Sequence, residues 1–395
     1  MKRTRHCVVA ALAVFAFLFT SGTTAAQTSL DSILKPYLAR YDLPALAAAV
    51  VKDGKVIAAG AVGTRRAGAN IPVTLNDRFH IGSDTKAMTA LLAAMLVEEG
   101  KLRWNTAVSE VFPELAQKMD PRLKAVTLTQ LLSHTSGIPT DNEDIATAYR
   151  DAMSQDGNLD ELRYGLVRHW STQPLAFAPG AQFAYSNMGY TFAGAMIERV
   201  AGLTWEEAIT EKIFKPLKLR TAGIGPQSSP GRIDAPLGHG IIDGKVKAFL
   251  AGPNSDGPAL IGPAGMAHLS ILDFARWAGW NAAEGKRGAR LVKPETMRKL
   301  HTPVIAMPEK KDAPPGTPPG GKYALGWGEL HPDWAPQPLL YHGGSNGMNL
   351  AKIWIDKKRG LAIVMATNIS GRKADEALQK LVFELYKTFA EKPGK

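Results

Sequence analysis

Apolar residues recur at Met88, Leu91, Leu92, Met95 and Leu96, the three-and-four spacing of a helix that buries one face. Gly100 follows, where a C-terminal glycine ends a helix, and Ser83-Asp84-Thr85-Lys86 stands at its start. Upstream, residues 30–41 have a helical pattern. Two apolar runs, 45–52 and 56–62, then flank Asp53-Gly54, a strong hairpin signal. From the serine helix to about His301 the chain reads mostly helical. Thr127-Leu128-Thr129-Gln130 is a capping box opening a short helix into Leu131-Leu132-Ser133-His134. Ser186 or Asn187 caps a helix running to Gly202, and further helices are predicted over 205–214, 272–280 and 294–300.

Past a Pro-, Gly- and Lys-rich stretch at 308–321, which reads as a surface loop or linker, the period changes. Strands are predicted over 323–327, 339–342, 349–355 and 361–366, then a closing amphipathic helix over 375–390. Helix and hairpin first, a helical middle and strands last predict an α/β chain of the α+β type. One antiparallel sheet is built from 27–81 and 322–395, flanked by terminal helices, and a mainly helical domain, 82–321, is inserted into it.

Composition changes this picture at the N-terminus. Lys2, Arg3 and Arg5 precede an apolar run from Val8 to Thr20, and Thr24-Ala25-Ala26 offers a cut before Gln27. Residues 1–26 are therefore expected to be a secretory signal peptide, and the product to be exported, periplasmic or secreted. The run is too short to span a bilayer, and no later stretch is long enough. Cys7, the one cysteine of 395 residues, lies inside that segment, so the mature chain would rely on its core without disulfides. Losing three cations takes the formal charge from +11 to +8. No basic stripe with interleaved aromatics is present, so nucleic acid is not an expected partner; solubility is the favoured account of the charge, with attraction to the acidic cell envelope the alternative.

Ser83 and Lys86, three residues apart, share a helix face, so the amine can approach the hydroxyl. Serine is a weak nucleophile that needs a neighbouring base, and lysine serves as one when burial or nearby positive charge lowers its pKa. The helix N-terminus favours a developing oxyanion. The same spacing also occurs at Ser32 and Lys35 and at Ser370 and Lys373, so the motif alone does not single out Ser83.

Two further motifs do. Tyr185-Ser186-Asn187 is the one Tyr-x-Asn among nine tyrosines, and His342-Gly343-Gly344-Ser345 lies on or at the end of a predicted strand. In this order the three resemble the serine β-lactamase and penicillin-binding-protein superfamily, most nearly class C β-lactamases, D-alanyl-D-alanine carboxypeptidases and their esterase relatives. Leu131 to Gly137, Pro263-Ala264-Gly265 and Tyr323 to Gly328 match segments of that group, so the resemblance covers essentially all of the mature chain. It implies that Ser83 attacks a carbonyl and forms an acyl-enzyme, while Lys86 and a near-ionised Tyr185 share the proton. Asn187, His342, Gly343, Gly344 and Ser345 would bind substrate, with the oxyanion between the backbone N–H groups of Ser83 and Ser345. The substrate would be a small ester, a D-amino-acid peptide or a β-lactam, with no cofactor and no metal. His342 and Gly343 stand where lactamases carry lysine and threonine, which favours an esterase or D-amino-acid peptidase over a true class C β-lactamase. A non-catalytic penicillin-binding or scaffold protein is the alternative of another class.

Gly343-Gly344-Ser345-Asn346-Gly347 also fits the α/β-hydrolase elbow, but that elbow needs a following helix and a later histidine, and neither is predicted. His134 reads as a hydrogen-bonded core or loop residue, and His80 as packing or gate-lining. Asp141, Glu143 and Asp144 read as a solvated loop.

Overall fold

The computed structural model describes residues 27–250, 255–310, 315 and 320–391. The expected signal peptide lies outside the described residues, as do 311–314 and 316–319 of the Pro/Gly-rich stretch.

One nine-stranded sheet organises the described chain. From one edge to the other its strands are Thr28–Ser29, Lys55–Gly63, Ala45–Lys52, Leu361–Thr367, Leu350–Asp356, Leu339–Ser345, Gly328–Leu330, Gly321–Tyr323 and Ile305–Met307. Neighbours pair antiparallel except the two-residue first strand, which runs parallel to Lys55–Gly63. The hairpin turns at Asp53 and Gly54, both with positive φ (51° and 76°), as an Asp-Gly turn requires.

Successive side chains of a strand point to opposite faces, and both faces here are covered. Ala47, Ala49 and Val51, with Ala362, Val364 and Ala366, face the helical domain. Leu46, Ala48 and Val50, with Leu361, Ile363 and Met365, face the terminal helices. These helices, Asp31–Tyr41 and Arg372–Phe389, are joined by hydrogen bonds from the Tyr37 hydroxyl to Glu384 (2.6 Å) and from the Tyr41 hydroxyl to Glu376 (3.4 Å). These two helices thus lie together on one side of the sheet.

The inserted region is less purely helical than its pattern predicts. A three-stranded sheet joins Arg78–His80, Ala267–Ser270 and Gly223–Ile224, and His239–Ile242 pairs with Lys245–Ala248. Ile305–Met307 belongs to the main sheet, paired with Gly321–Tyr323. The predicted strand 323–327 ends at Tyr323, where the chain bends toward the serine helix. Among the described residues no helix is long and apolar enough to cross a membrane.

The serine helix, Thr85–Glu98, enters through a 3₁₀ turn, Gly82–Asp84, and is buried on nearly every side. It packs against the helix Asn187–Ala201 and the turn Gly262–Gly265. The second of these helices is anchored by fully buried Arg163, which bridges Glu198 and Glu206 at 2.6 Å each. Its N-cap is Ser186, whose Oγ accepts the Gly189 N–H at 3.1 Å. That cap fixes where Tyr185 and Asn187 emerge.

Candidate active site

Lys86 is completely buried, and its Nζ lies 3.0 Å from Ser83 Oγ, 2.7 Å from Asn187 Oδ1 and 2.6 Å from the Ala264 carbonyl. The last two partners are pure acceptors, so they claim two N–H bonds. In the neutral amine the remaining position, facing Ser83, is a lone pair. Burial lowers the Lys86 pKa to about 7, against the opposing pull of Asp141 and then Asp84. Near neutrality Lys86 is thus a base directed at the serine hydroxyl.

This yields a pH prediction. As pH falls through about 7, Lys86 gains a proton and can no longer accept one from Ser83. Initial rates of acylation across pH 5 to 9 should show an acid limb centred near 7, losing about tenfold per pH unit below it. A flat profile down to pH 5 would remove Lys86 from the role of base.

Tyr185 stands close by, its ring centroid 4.7 Å from Lys86 Nζ. Its hydroxyl is buried without a hydrogen-bond partner. Burial raises its pKa above the ordinary phenol value, and Ser83 only partly offsets this. The expectation of a near-ionised Tyr185 is therefore corrected: the desolvation cost of a phenolate, with Asp141 and Asp84 adding to it, outweighs the help of Ser83. Tyr185 is a proton donor facing the nucleophile. His134 holds its ring from behind at 4.3 Å between centroids, and His134 Nδ1 accepts the Ser186 N–H at 3.1 Å. His134 is buried and its pKa is well below the ordinary value, first through desolvation and then through Lys86 and His342, so it serves as a neutral core residue.

The third motif reaches Ser83 through backbone. A Cβ on Gly344 would stand 1.8 Å from the Ile81 carbonyl oxygen and 2.5 Å from the Ser83 nitrogen. A Cβ on Gly82, at φ +53°, would stand 2.4 Å from the Ser345 nitrogen. Only glycine lets the two segments approach this closely, and the approach brings the N–H groups of Ser83 and Ser345 together. Gly343 sits in the ladder opposite Lys352, and Ser345 ends the strand with its Oγ 2.8 Å from Ser370 Oγ. The next strand pairs back at once, Ser345 opposite Leu350, so this is strand–turn–strand and not a nucleophile elbow.

His342 opens this third motif. It is fully buried, its Nδ1 lies 2.9 Å from the Gly343 carbonyl and its Nε2 3.0 Å from the Tyr323 hydroxyl. A carbonyl only accepts, so Nδ1 carries the proton and Nε2 accepts from tyrosine. Burial, and then the charge of Lys86, bring its pKa down to about 3. His342 is a buried neutral side chain held by the Gly343 carbonyl and the Tyr323 hydroxyl. Beside it Asp84 is buried without hydrogen bonds, and desolvation holds its pKa well above the carboxylate range despite Lys352 and Lys86.

Two features went unread in the sequence. His80 Nδ1 accepts the Gly82 N–H at 3.1 Å, and its Nε2 lies 3.1 Å from Asp256 Oδ2, with both side chains buried. Asp256 Oδ1 in turn accepts from Asn346 Nδ2 at 2.9 Å. The network therefore ties the turn before Ser83 to the turn after Ser345. Asp141, read as part of a solvated loop, accepts a hydrogen bond from Asn187 Nδ2 at 2.6 Å. No motif spacing signals either contact; proximity of His80 to the Ser83 turn is the one hint.

The Beta-lactamase family profile matches residues 30–387. The chain therefore belongs to the Beta-lactamase family, within the superfamily of serine β-lactamases and penicillin-binding proteins. It is 24% identical over 359 residues to Protein flp of Staphylococcus aureus (strain NCTC 8325 / PS 47), a match covering 91% of this chain and 66% of that protein. To Penicillin-binding protein 4 of Amycolatopsis lactamdurans it is 26% identical over 336 residues, covering 83% of this chain and 81% of the relative. Among solved structures, the octameric penicillin-binding protein homologue from Pyrococcus abyssi superposes with a TM-score of 0.70 at 27% identity, over 89% of this chain and 76% of that one. A D-stereospecific amidohydrolase from Streptomyces sp. shares the fold, with a TM-score of 0.65 at 22% identity over 89% of this chain and 95% of that one.

Proposed function

We propose that the protein is an exported serine hydrolase that cleaves a small ester or amide through an acyl-enzyme on Ser83. The observation that carries this reading is Lys86 Nζ at 3.0 Å from Ser83 Oγ, with its other bonds committed to acceptors. Lys86 takes the Ser83 proton as Oγ bonds to the carbonyl carbon. The oxyanion rests between the N–H groups of Ser83 and Ser345. The intermediate collapses with loss of the alcohol or amine, which Tyr185 protonates, and Lys86 restores the tyrosine proton. Water then attacks the acyl-enzyme by the reverse path, releasing the acid and freeing Ser83. Membership of the family, with a D-stereospecific amidohydrolase and a penicillin-binding protein among its relatives, supports the reaction class. Export rests on the basic and apolar pattern of residues 1–26.

Ester cleavage is favoured over β-lactam turnover, with D-amino-acid peptides between them. Where a lactamase holds the substrate carboxylate with lysine and threonine, this chain has a buried neutral His342 and a glycine. A charge-assisted hydrogen bond contributes about 1.5–3 kcal/mol. Its absence should make nitrocefin turnover about ten- to a hundredfold slower than cleavage of the best short-chain nitrophenyl ester, at roughly 1.4 kcal/mol per decade. A panel of these esters, nitrocefin and a D-alanyl-D-alanine peptide measures this. Nitrocefin turnover equal to the best ester would return the protein to the lactamase reading.

A further inference from the structure

Asp141 is the feature that the reaction leaves unused. Its carboxylate is on the solvent side, yet it holds Asn187 Nδ2 at 2.6 Å, and Asn187 Oδ1 holds the Lys86 amine at 2.7 Å. Among the described residues no lysine, arginine or histidine forms an ion pair with it, whereas nearby Glu143 is paired with Arg150. From inside, the one opposing charge is that of Lys86, which is only partly protonated near neutrality. His342 and His134 are uncharged and buried. A substrate whose carbonyl sits on Ser83 and whose acyl portion reaches Asn187 therefore meets an accessible anion.

We propose that Asp141 is a specificity residue that selects substrates bearing a positively charged amine on the acyl portion and disfavours those bearing a carboxylate there. The inference rests on Ser83 being the acylated residue and goes beyond it by naming the substrate's charge. An ammonium placed beside Asp141 is attracted by its exposed carboxylate, and a carboxylate is repelled. Because Asp141 is solvent-exposed, the preference is moderate and weakens with salt.

The test uses three nitrophenyl esters of matched length, ending in trimethylammonium, in its uncharged tert-butyl counterpart and in a carboxylate. Wild type at low ionic strength should favour the cation over the neutral ester by about three- to tenfold in kcat/KM, and disfavour the anion comparably. Asp141→Asn keeps an acceptor for Asn187 and removes the charge, so both ratios should fall to about 1, and Asp141→Lys should invert them. A second reading separates charge from mere tethering. Asp141 raises the Lys86 pKa, so the acid limb of kcat/KM should move to lower pH in Asp141→Asn. Identical charge ratios in wild type and both variants would overturn the proposal. Labelling of Ser83 by a fluorophosphonate reports on the underlying reading separately. Should wild type prove unlabelled and inactive, calorimetric binding of the trimethylammonium ester to wild type and Asp141→Asn still decides the matter, and equal affinities would refute the role of Asp141.

Discussion

Ser83→Ala should abolish ester hydrolysis and fluorophosphonate labelling while the protein keeps its fold. The substitution removes one oxygen from a residue at the mouth of the 3₁₀ turn. That oxygen makes a bond to Lys86 but none to the surrounding backbone. Thr85 secures the turn independently, donating from Oγ1 to the Gly82 carbonyl at 2.7 Å and accepting the Ala267 N–H at 3.1 Å. Stability should therefore change by less than about 0.5–1.5 kcal/mol, the net contribution of one hydrogen bond. Activity should fall to the background left by the oxyanion donors and binding alone, a loss of about 10⁴-fold or more. Thermal melting, active-site titration and initial rates together make the check. Full activity in Ser83→Ala with loss in Ser345→Ala would move the nucleophile to the other serine, and absence of labelling in wild type would favour a scaffold.

Gly344→Ala carries the second large effect and acts through backbone. The added Cβ meets the Ile81 carbonyl oxygen at 1.8 Å, the Ser83 nitrogen at 2.5 Å and the Gly82 carbonyl carbon at 2.8 Å. None of these atoms belongs to a side chain that can rotate away. The strand or the serine turn must move, and either movement separates the two oxyanion donors. Loss of one such donor costs about 10²–10³ in kcat. Overpacking adds about 1–3 kcal/mol of destabilisation. We expect kcat to fall by at least 10²-fold in protein that still melts cooperatively at a lower temperature. Wild-type kcat and an unchanged melting temperature would show that Gly344 does not hold these segments together.

Much of the architecture could be read along the chain because the signals are local. The Asp53-Gly54 hairpin, the Thr127–Gln130 capping box and the amphipathic closing helix all follow from spacing within one element. Errors arose where pairing is distant. Ile305–Met307 is too short for a periodic signal and becomes a strand only because Gly321–Tyr323 lies beside it. The expected strand at 323–327 stops early because the chain must turn to pack Gly326 against the backbone of Lys86 and Ala87.

The site divides along the same line. The sequence by itself determined that Ser83 and Lys86 share a helix face, that a capped helix presents Tyr185 and Asn187, and that a glycine-rich strand follows them. Each is a matter of period and chirality within a short segment. Tertiary structure decided the charges and the partners. Lys86 meets Asn187, 101 residues away in sequence, and Ala264, 178 away, and its loss of charge comes from burial by these segments. The same burial keeps Tyr185 protonated and His342 neutral, while Asp141 becomes a neighbour of the base only when its loop folds over Asn187. A side chain's type is written in the sequence, but its protonation depends on how much water the rest of the fold leaves around it.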